Sequence, residues 1–168
     1  MVATLNTVVA TIAPSSPLCG SYPTTTATGY KRDVHSCPSL KERGRIANNV
    51  NAKVFLSVHI NAPNLLVGTL PNPFGNGTSV LYNSNKPAAE PLATQMAAAV
   101  SLSLGTNNRG AKVDDTIAVL KPTVTGMPAV LIEVARLSGS DERLLHAPTS
   151  ATRAALGIHS AIQSYFVN

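Results

Sequence analysis

Two polar residues stand at the ends of apolar segments, where a strand could present them to a ligand. His59 follows VFLSV, and Glu133 follows PAVLI. A neutral imidazole is a common zinc ligand. A carboxylate that is partly removed from water has a raised pKa and can move protons for a metal-bound water. Together the two residues favour a hydrolytic site, although a histidine satisfied within the core stays an alternative for His59 alone.

The elements that carry these residues predict that the two side chains meet. Lys53–Ile60 and Pro128–Ala135 are dense in β-branched and apolar residues, as is typical of strands covered on both faces. The carboxyl ends of parallel strands lie along one edge of a sheet, and ligands bind at that edge. We therefore predict an α/β fold with a mainly parallel twisted sheet flanked by helices, and one crevice that holds both residues.

Capping residues and apolar spacing predict the other elements. Ser39 opens a helix through a capping box with Glu42. Further helices are predicted at Pro87–Leu104, where Pro91 can displace the start, and at Ser150–Phe166. The remaining predictions are strands at Thr24–Tyr30, Thr78–Tyr82 and Ile117–Leu120, a turn at Asn107–Gly110, a helical turn at Asp141–His146, and a short helix over Val2–Ala13.

Composition places the chain among globular proteins. It has 168 residues, of which 44% are hydrophobic and 12% charged, and we expect a single domain over residues 1–168. No apolar run reaches the roughly 18 residues of a transmembrane helix. No Lys or Arg precedes the apolar stretch Val2–Ala13, which makes it a poor signal peptide. Cys19 and Cys37 could form one disulfide, but free thiols are the favoured state.

The charge is moderately basic, with 13 Lys and Arg against 8 Asp and Glu, and six of the 13 fall between Lys31 and Lys53. A basic surface attracts nucleic acid, anionic lipid or an acidic wall polymer. It can equally be a solvated face without a partner. Aromatic residues make up only 4% and do not interleave with the basic stretches. This argues against nucleic acid, because single strands are held by stacking on aromatic rings.

Three segments carry a resemblance to a known family. Ser39–Ala62 (SLKERGRIANNVNAKVFLSVHINA) has a helix rich in Arg, Ala and Asn and then a strand ending in Ser-x-His-x-Asn. Asn107–Val113 (NNRGAKV) contains an Asn-Arg-Gly element. Pro128–Leu145 (PAVLIEVARLSGSDERLL) is a strand ending in Glu, followed by a Leu-Ser pair and an acidic helix. In this order, the segments resemble the zinc-dependent N-acetylmuramoyl-L-alanine amidases that cleave peptidoglycan.

The resemblance implies roles for named residues. His59 would be a zinc ligand, and Glu133 the catalytic carboxylate that takes a proton from the metal-bound water. That water would attack the amide between N-acetylmuramic acid and L-alanine. Asn61 and Arg109, which belong to the matched motifs, would bind substrate. Peptidoglycan would be the partner, which places the substrate outside the cytoplasmic membrane.

The front of the family's metal site has no counterpart in this sequence. The family's other two ligands are a His in a His-Gly-Gly loop after its first strand and a Glu before its first helix. The first histidine here is His35 and the first glutamate is Glu42, both too far along the chain. We therefore expect the family's first strand to be missing, the zinc site to be incomplete and activity to be impaired. Recruitment of His35 or Asp33 is a minor alternative.

Smaller departures concern the groove and its regulation. Arg136 stands where the family often has Phe, and Gly139 where Asn is usual. The short link between Val80 and Pro91 leaves no room for the autoinhibitory helical insertion of the regulated division amidases, which suggests the unregulated type.

Two other functions compete with a peptidoglycan amidase. One is a non-catalytic domain of the same fold that binds cell wall or a partner protein, although the presence of both His59 and Glu133 weighs against it. The other is an α/β zinc peptidase acting on a different amide. The loss of a first strand would also expose a sheet edge, which invites pairing with another chain.

Overall fold

A computed structural model describes residues 39–62 and 75–167, together with the backbone of residues 8–12. Five strands and four helices are described, in the order β1 (Val8–Ile12), α1 (Leu40–Asn49), β2 (Val54–Asn61), β3 (Thr78–Tyr82), α2 (Ala89–Leu104), β4 (Asn108–Val113), β5 (Ala129–Arg136), α3 (Ser140–Leu145) and α4 (Ser150–Val167). No helix within these ranges is long and apolar enough to cross a membrane.

The strands form one sheet in the order β1-β2-β5-β3-β4. β1, β2 and β5 run in the same direction, and β3 and β4 are parallel to each other. β3 is antiparallel to β5, so the strand direction reverses at that pairing. Three of the four described pairings are therefore parallel, which confirms the predicted α/β fold with a mainly parallel sheet flanked by helices.

The sheet is covered on both faces, which explains why β2 and β5 are apolar at nearly every position. On one face, Leu56, Val130 and Ile132 pack in a cluster with residues of α2 and α4. On the other face, Phe55 and Leu131 pack with Ala47 of α1 and with Val119, Leu120 and Met127 of the segment before β5. Removal of this apolar surface from water drives the layered arrangement.

Helix packing and capping fix the flanking elements. The Ser39 side chain accepts a hydrogen bond of 3.2 Å from the amide of Glu42, as the predicted capping box requires of its serine. Across the sheet, α4 lies so close to α2 that a Cβ on Gly157 would stand 2.7 Å from the Cα of Val100. The absence of a side chain at Gly157 thus permits this contact between the two helices.

The predicted N-terminal helix is wrong at Val8–Ile12, which forms strand β1. Its residues pair in parallel with β2, from Val8 opposite Val54 to Ile12 opposite Val58. Four of its five residues are β-branched, which favours a strand. The edge of β2 also offers backbone groups for hydrogen bonding, and the spacing of apolar residues within Val8–Ile12 gives no information about this distant partner. A strand therefore covers this edge of β2, although its sequence contains no His-Gly-Gly loop.

The segment between α2 and β5 also differs from the prediction. Asn107–Gly110 was predicted as a turn, but residues from Asn108 onwards form β4, because the edge of β3 pairs with them. Ile117–Leu120 was predicted as a strand and forms turns instead. Asp114 begins these turns by accepting hydrogen bonds from the amide and the hydroxyl of Thr116. The predictions for Thr24–Tyr30, Cys19, Cys37, Asp33 and His35 lie outside the described residues.

Candidate active site

His59 and Glu133 lie opposite each other on neighbouring strands. His59 of β2 is the register partner of Glu133 of β5, and the two strands are parallel. Register partners on adjacent parallel strands project from the same face, and adjacent strands lie about 4.8 Å apart. The structure therefore brings the imidazole and the carboxylate to one edge and one face of the sheet, as the sequence predicted.

The strand on the other side of β5 adds groups to the same edge. β3 runs antiparallel to β5 and places Ser79, which is buried, opposite Glu133. Because the direction reverses here, the amino ends of β3 and β4 lie beside the carboxyl ends of β2 and β5. Gly77 and Arg109 therefore belong to the same rim as His59.

His59 is held in a defined position and an electrically neutral state. It is half-buried, and its Nε2 lies 3.0 Å from the hydroxyl of Ser57, two residues earlier on the same face. Burial, and secondarily the positive charge of Arg43 on α1, lowers the pKa of His59 below its usual 6.5. The neutral imidazole is the form that binds a metal ion.

Glu133 combines burial with an unsatisfied oxygen. Its Oε2 is buried and has no hydrogen-bond partner among the described residues. Burial raises the pKa of Glu133 from 4.5 to about 7. A buried polar atom without a partner is uncommon in folded proteins and calls for an explanation such as an ion, a water or a reacting group. A carboxyl group that titrates near neutral pH is suited to accept and return a proton.

The described residues do not complete a catalytic zinc site. Such a site normally has three protein ligands and one open position. Within residues 39–62 and 75–167, no group of three His, Cys, Asp or Glu side chains is close enough to hold a metal ion. His59 is suited to be one ligand, and a complete set of three would need at least one ligand from outside the described ranges.

The two predicted substrate-binding residues lie at this edge, although one of them is already engaged. Arg109 donates a hydrogen bond from its guanidinium to the carbonyl of Gly75. Asn61 ends β2, and its backbone carbonyl accepts a hydrogen bond of 2.8 Å from the amide of Leu137. The position of both residues is compatible with substrate contact, and their roles stay predictions.

Asp141 organises the rim in a way that the sequence does not reveal. It is only 2% exposed, and its Oδ2 accepts hydrogen bonds from the amide of Gly77 (2.6 Å) and the amide of Arg136 (3.0 Å). One carboxylate oxygen therefore ties the start of β3 to the end of β5. The acidic residues after the Leu-Ser pair were visible in the sequence, but their number alone did not indicate which one is buried.

The presence of glycine at position 139, which was expected to shape the groove, is explained by the local backbone and by a neighbouring side chain. Its φ is 66°, and a Cβ there would collide with the side-chain amide of Asn76. A residue with a side chain would therefore be strained at this position both by its backbone and by its neighbour.

Comparison with protein families matches residues 21–164 to the N-acetylmuramoyl-L-alanine amidase family. The amidase LytC of Bacillus subtilis strain 168 is 33% identical over 131 residues, which is 76% of this chain. The chain spans only 24% of the length of LytC.

Solved amidase structures share the fold. The catalytic domain of CwlV from Bacillus (Paenibacillus) polymyxa var. colistinus is 30% identical, with a TM-score of 0.66 over 81% of this chain and 70% of CwlV. The CwlD amidase of Clostridioides difficile, solved in complex with the GerS lipoprotein, is 32% identical, with a TM-score of 0.64 over 76% of this chain and 61% of CwlD.

Proposed function

Because the chain belongs to the N-acetylmuramoyl-L-alanine amidase family, we propose that it is a peptidoglycan hydrolase that cleaves the amide between N-acetylmuramic acid and L-alanine. The observation that carries this proposal is the buried carboxylate oxygen of Glu133, on the strand beside His59, to which no residue of ranges 39–62 and 75–167 donates a hydrogen bond. A purely structural carboxylate in this position would be expected to find a hydrogen-bond donor. A carboxylate that receives a proton from water must keep an acceptor free.

The reaction requires proton transfer at two moments, and Glu133 is suited to both. In its ionised form it accepts a proton from the water that attacks the amide carbonyl. In its protonated form it returns that proton to the leaving amine of L-alanine. The raised pKa, about 7, keeps both forms accessible at neutral pH.

His59 is the proposed metal ligand. The hydroxyl of Ser57 orients its ring, and burial together with Arg43 favours the neutral form. Zinc, when bound in this family's site, polarises the carbonyl and lowers the pKa of water. With one ligand among the described residues, we propose that this chain binds zinc weakly and that its activity is impaired.

A direct test measures zinc affinity and product release by the 168-residue protein. We expect weak zinc binding and little release of stem peptides with a free L-alanine amino group from purified peptidoglycan. Tight binding of one zinc per chain would contradict the proposed incomplete site.

A chimaera tests the chemistry itself. Replacing the residues before Ser39 with the corresponding segment of the CwlV catalytic domain would supply that protein's own first elements. We expect this chimaera to release stem peptides and its Glu133→Gln variant to release none. A folded, zinc-loaded chimaera that sediments with insoluble peptidoglycan but cleaves nothing would favour the non-catalytic wall-binding alternative. Because peptidoglycan lies outside the cytoplasmic membrane, the proposed substrate places the function in the periplasm or outside the cell.

A further inference from the structure

Arg136 is brought to the active-site face by an irregularity in β5. His59 pairs with Glu133, and Asn61 pairs with Arg136, so a step of two residues in β2 faces a step of three in β5. In a regular strand, residues three apart project from opposite faces. The extra residue of this bulge returns Arg136 to the face that carries Glu133, and bulges beside active sites commonly redirect a side chain in this way.

The core contacts support this change of direction. Both Val134 and Ala135 are buried in the cluster formed with α2 and α4, on the face opposite the candidate site. Two consecutive residues of a regular strand would not share a face. The bulge therefore places the side chains of Val134 and Ala135 on the same face of the sheet. Arg136, the next residue, then projects from the opposite face, which carries the candidate active site.

The guanidinium of Arg136 is held in place by packing, but it makes no hydrogen bond to the described residues. Arg136 is half-buried, and its buried Nε has no hydrogen-bond partner in the part of the chain that the structure describes. Its Nη1 occupies the space that a Cβ on Gly75 would fill. Within the described part of the chain, no ion pair joins this guanidinium to a carboxylate. A planar cation with free donors is suited to bind a carboxylate through two hydrogen bonds.

The backbone around Arg136 is fixed by contacts of its own. Asp141 accepts a hydrogen bond from the Arg136 amide, and Arg109 donates to the carbonyl of Gly75. Arg109 thus holds the segment against which Arg136 packs, and no described residue accepts a hydrogen bond from the terminal Nη atoms of this half-exposed side chain. A charged group on a strand end, three residues after Glu133, is positioned more precisely than one carried by a loop.

We infer that Arg136 forms a subsite that binds a carboxylate of the stem peptide next to the amide that is cut. This inference rests on the proposed function, because the ligand is a part of the proposed substrate. It makes Arg136 a specificity-determining residue, which would distinguish stem peptides with free carboxylates from those whose carboxylates are amidated. Neither His59 nor Glu133 can make this distinction, since both are directed to the amide that is cut.

The test compares two soluble probes on the 168-residue protein, so that it does not depend on turnover. One is N-acetylmuramoyl-L-alanyl-D-glutamate with both carboxylates free, and the other is the same compound with both converted to amides. We expect the protein to bind the free acid about tenfold more tightly, equivalent to about 1.4 kcal/mol. In Arg136→Gln this ratio should fall to about one, and Arg136→Lys should retain part of it.

Controls separate binding from folding and from general charge. Arg143→Gln removes the same charge from an exposed position on α3 and should leave the preference unchanged. The melting temperature of Arg136→Gln should not fall, because the Arg136 side chain makes no hydrogen bond to any described residue that the fold would lose. An unchanged preference in Arg136→Gln would overturn the inference and leave the proposed function intact. Failure of the wild-type chain to bind the free acid would also overturn the inference, whereas the proposed function is decided by product release from the chimaera.

Discussion

His59 and Glu133 are direct register partners on two parallel strands, so one pair of adjacent backbones fixes the spacing between imidazole and carboxylate. Neither residue depends on a loop for its position. The two residues can therefore be altered separately, and each variant reports on a different step.

The first prediction separates proton transfer from metal binding in the zinc-loaded chimaera. Glu133→Gln should lower turnover at least about a hundredfold, because an amide cannot accept the proton from water, and zinc affinity should change little. His59→Ala should lower both. Zinc titration and release of stem peptides measure the two effects. Normal turnover by the Gln variant would show that Glu133 is not the base.

The second prediction concerns the orientation of His59. Ser57→Ala removes the hydroxyl 3.0 Å from Nε2 and leaves the ring without that restraint. We expect zinc affinity of the chimaera to fall about tenfold to a hundredfold, as is usual when a partner of a metal ligand is lost. Ser103→Ala, which removes a serine hydroxyl bonded to the carbonyl of Arg153 on the helical layer, is the matched control. Equal affinity in wild type and Ser57→Ala would exclude an orienting role.

The third prediction concerns pH and stability without metal. The folded chain raises the pKa of Glu133 from 4.5 to about 7, so it binds this proton more tightly than the unfolded chain does. The free energy of unfolding should therefore fall as pH rises from about 4.5 to about 7, and level off above that range. Glu133→Gln removes this pH-dependent contribution to the free energy of unfolding. Since Glu133 is only half-buried, solvent screening limits the difference to about 1 kcal/mol.

Urea unfolding of wild type and Glu133→Gln at about pH 5 and about pH 8 measures this term. The Gln variant should gain stability relative to wild type at the higher pH. A gain at the lower pH instead would mean that the carboxylate is stabilised by a partner in the folded chain.

The fourth prediction tests the buried carboxylate that joins β3 to β5. Asp141→Ala leaves the amides of Gly77 and Arg136 without their acceptor. Each unsatisfied buried donor costs about 1–3 kcal/mol, so we expect a loss of about 3 kcal/mol in the free energy of unfolding. Glu142→Ala, at the exposed neighbouring position, should cost less than about 0.5 kcal/mol. Equal losses in the two variants would show that Asp141 does not join the strands.

The fifth prediction tests the close approach of α2 and α4. A methyl group at Gly157 would stand 2.7 Å from the Cα of Val100 and 3.0 Å from the carbonyl of Ala99. We expect Gly157→Ala to lower the free energy of unfolding by about 1–3 kcal/mol through overpacking. At Gly126, no atom of the described residues lies within 4 Å of an added Cβ, and Gly126→Ala serves as the control. Greater stability of Gly157→Ala would mean that the helices separate at little cost.

The sequence predicted the parts of the fold that its apolar pattern dictates. β2 and β5 are buried on both faces, so their composition identified them, and the polar residues that follow their apolar runs identified His59 and Glu133. The alanine-rich α2 and the capped α1 were predicted for similarly local reasons. The resemblance in three segments then predicted the family, which the comparisons confirm.

The errors lie where pairing between distant segments decides the outcome. Val8–Ile12 has the spacing of a helical face, yet the edge of β2 makes it a strand. Asn108–Val113 contains Gly110 and polar residues, yet the edge of β3 makes it β4. The burial of Asp141 and the redirection of Arg136 by one extra residue likewise depend on contacts that no local pattern encodes.

The reversal of strand direction between β5 and β3 has a consequence for how such a groove can diversify. Three strands, β1, β2 and β5, reach the rim with their final residues, and β3 and β4 reach it with their first, so chain segments enter the groove from both kinds of strand end. The segment around Gly75 can change in length or composition while β2 and β5 keep His59 and Glu133 opposite each other. Preference for one wall chemistry over another can then evolve at the entrance to β3, independently of the pair that cleaves the bond.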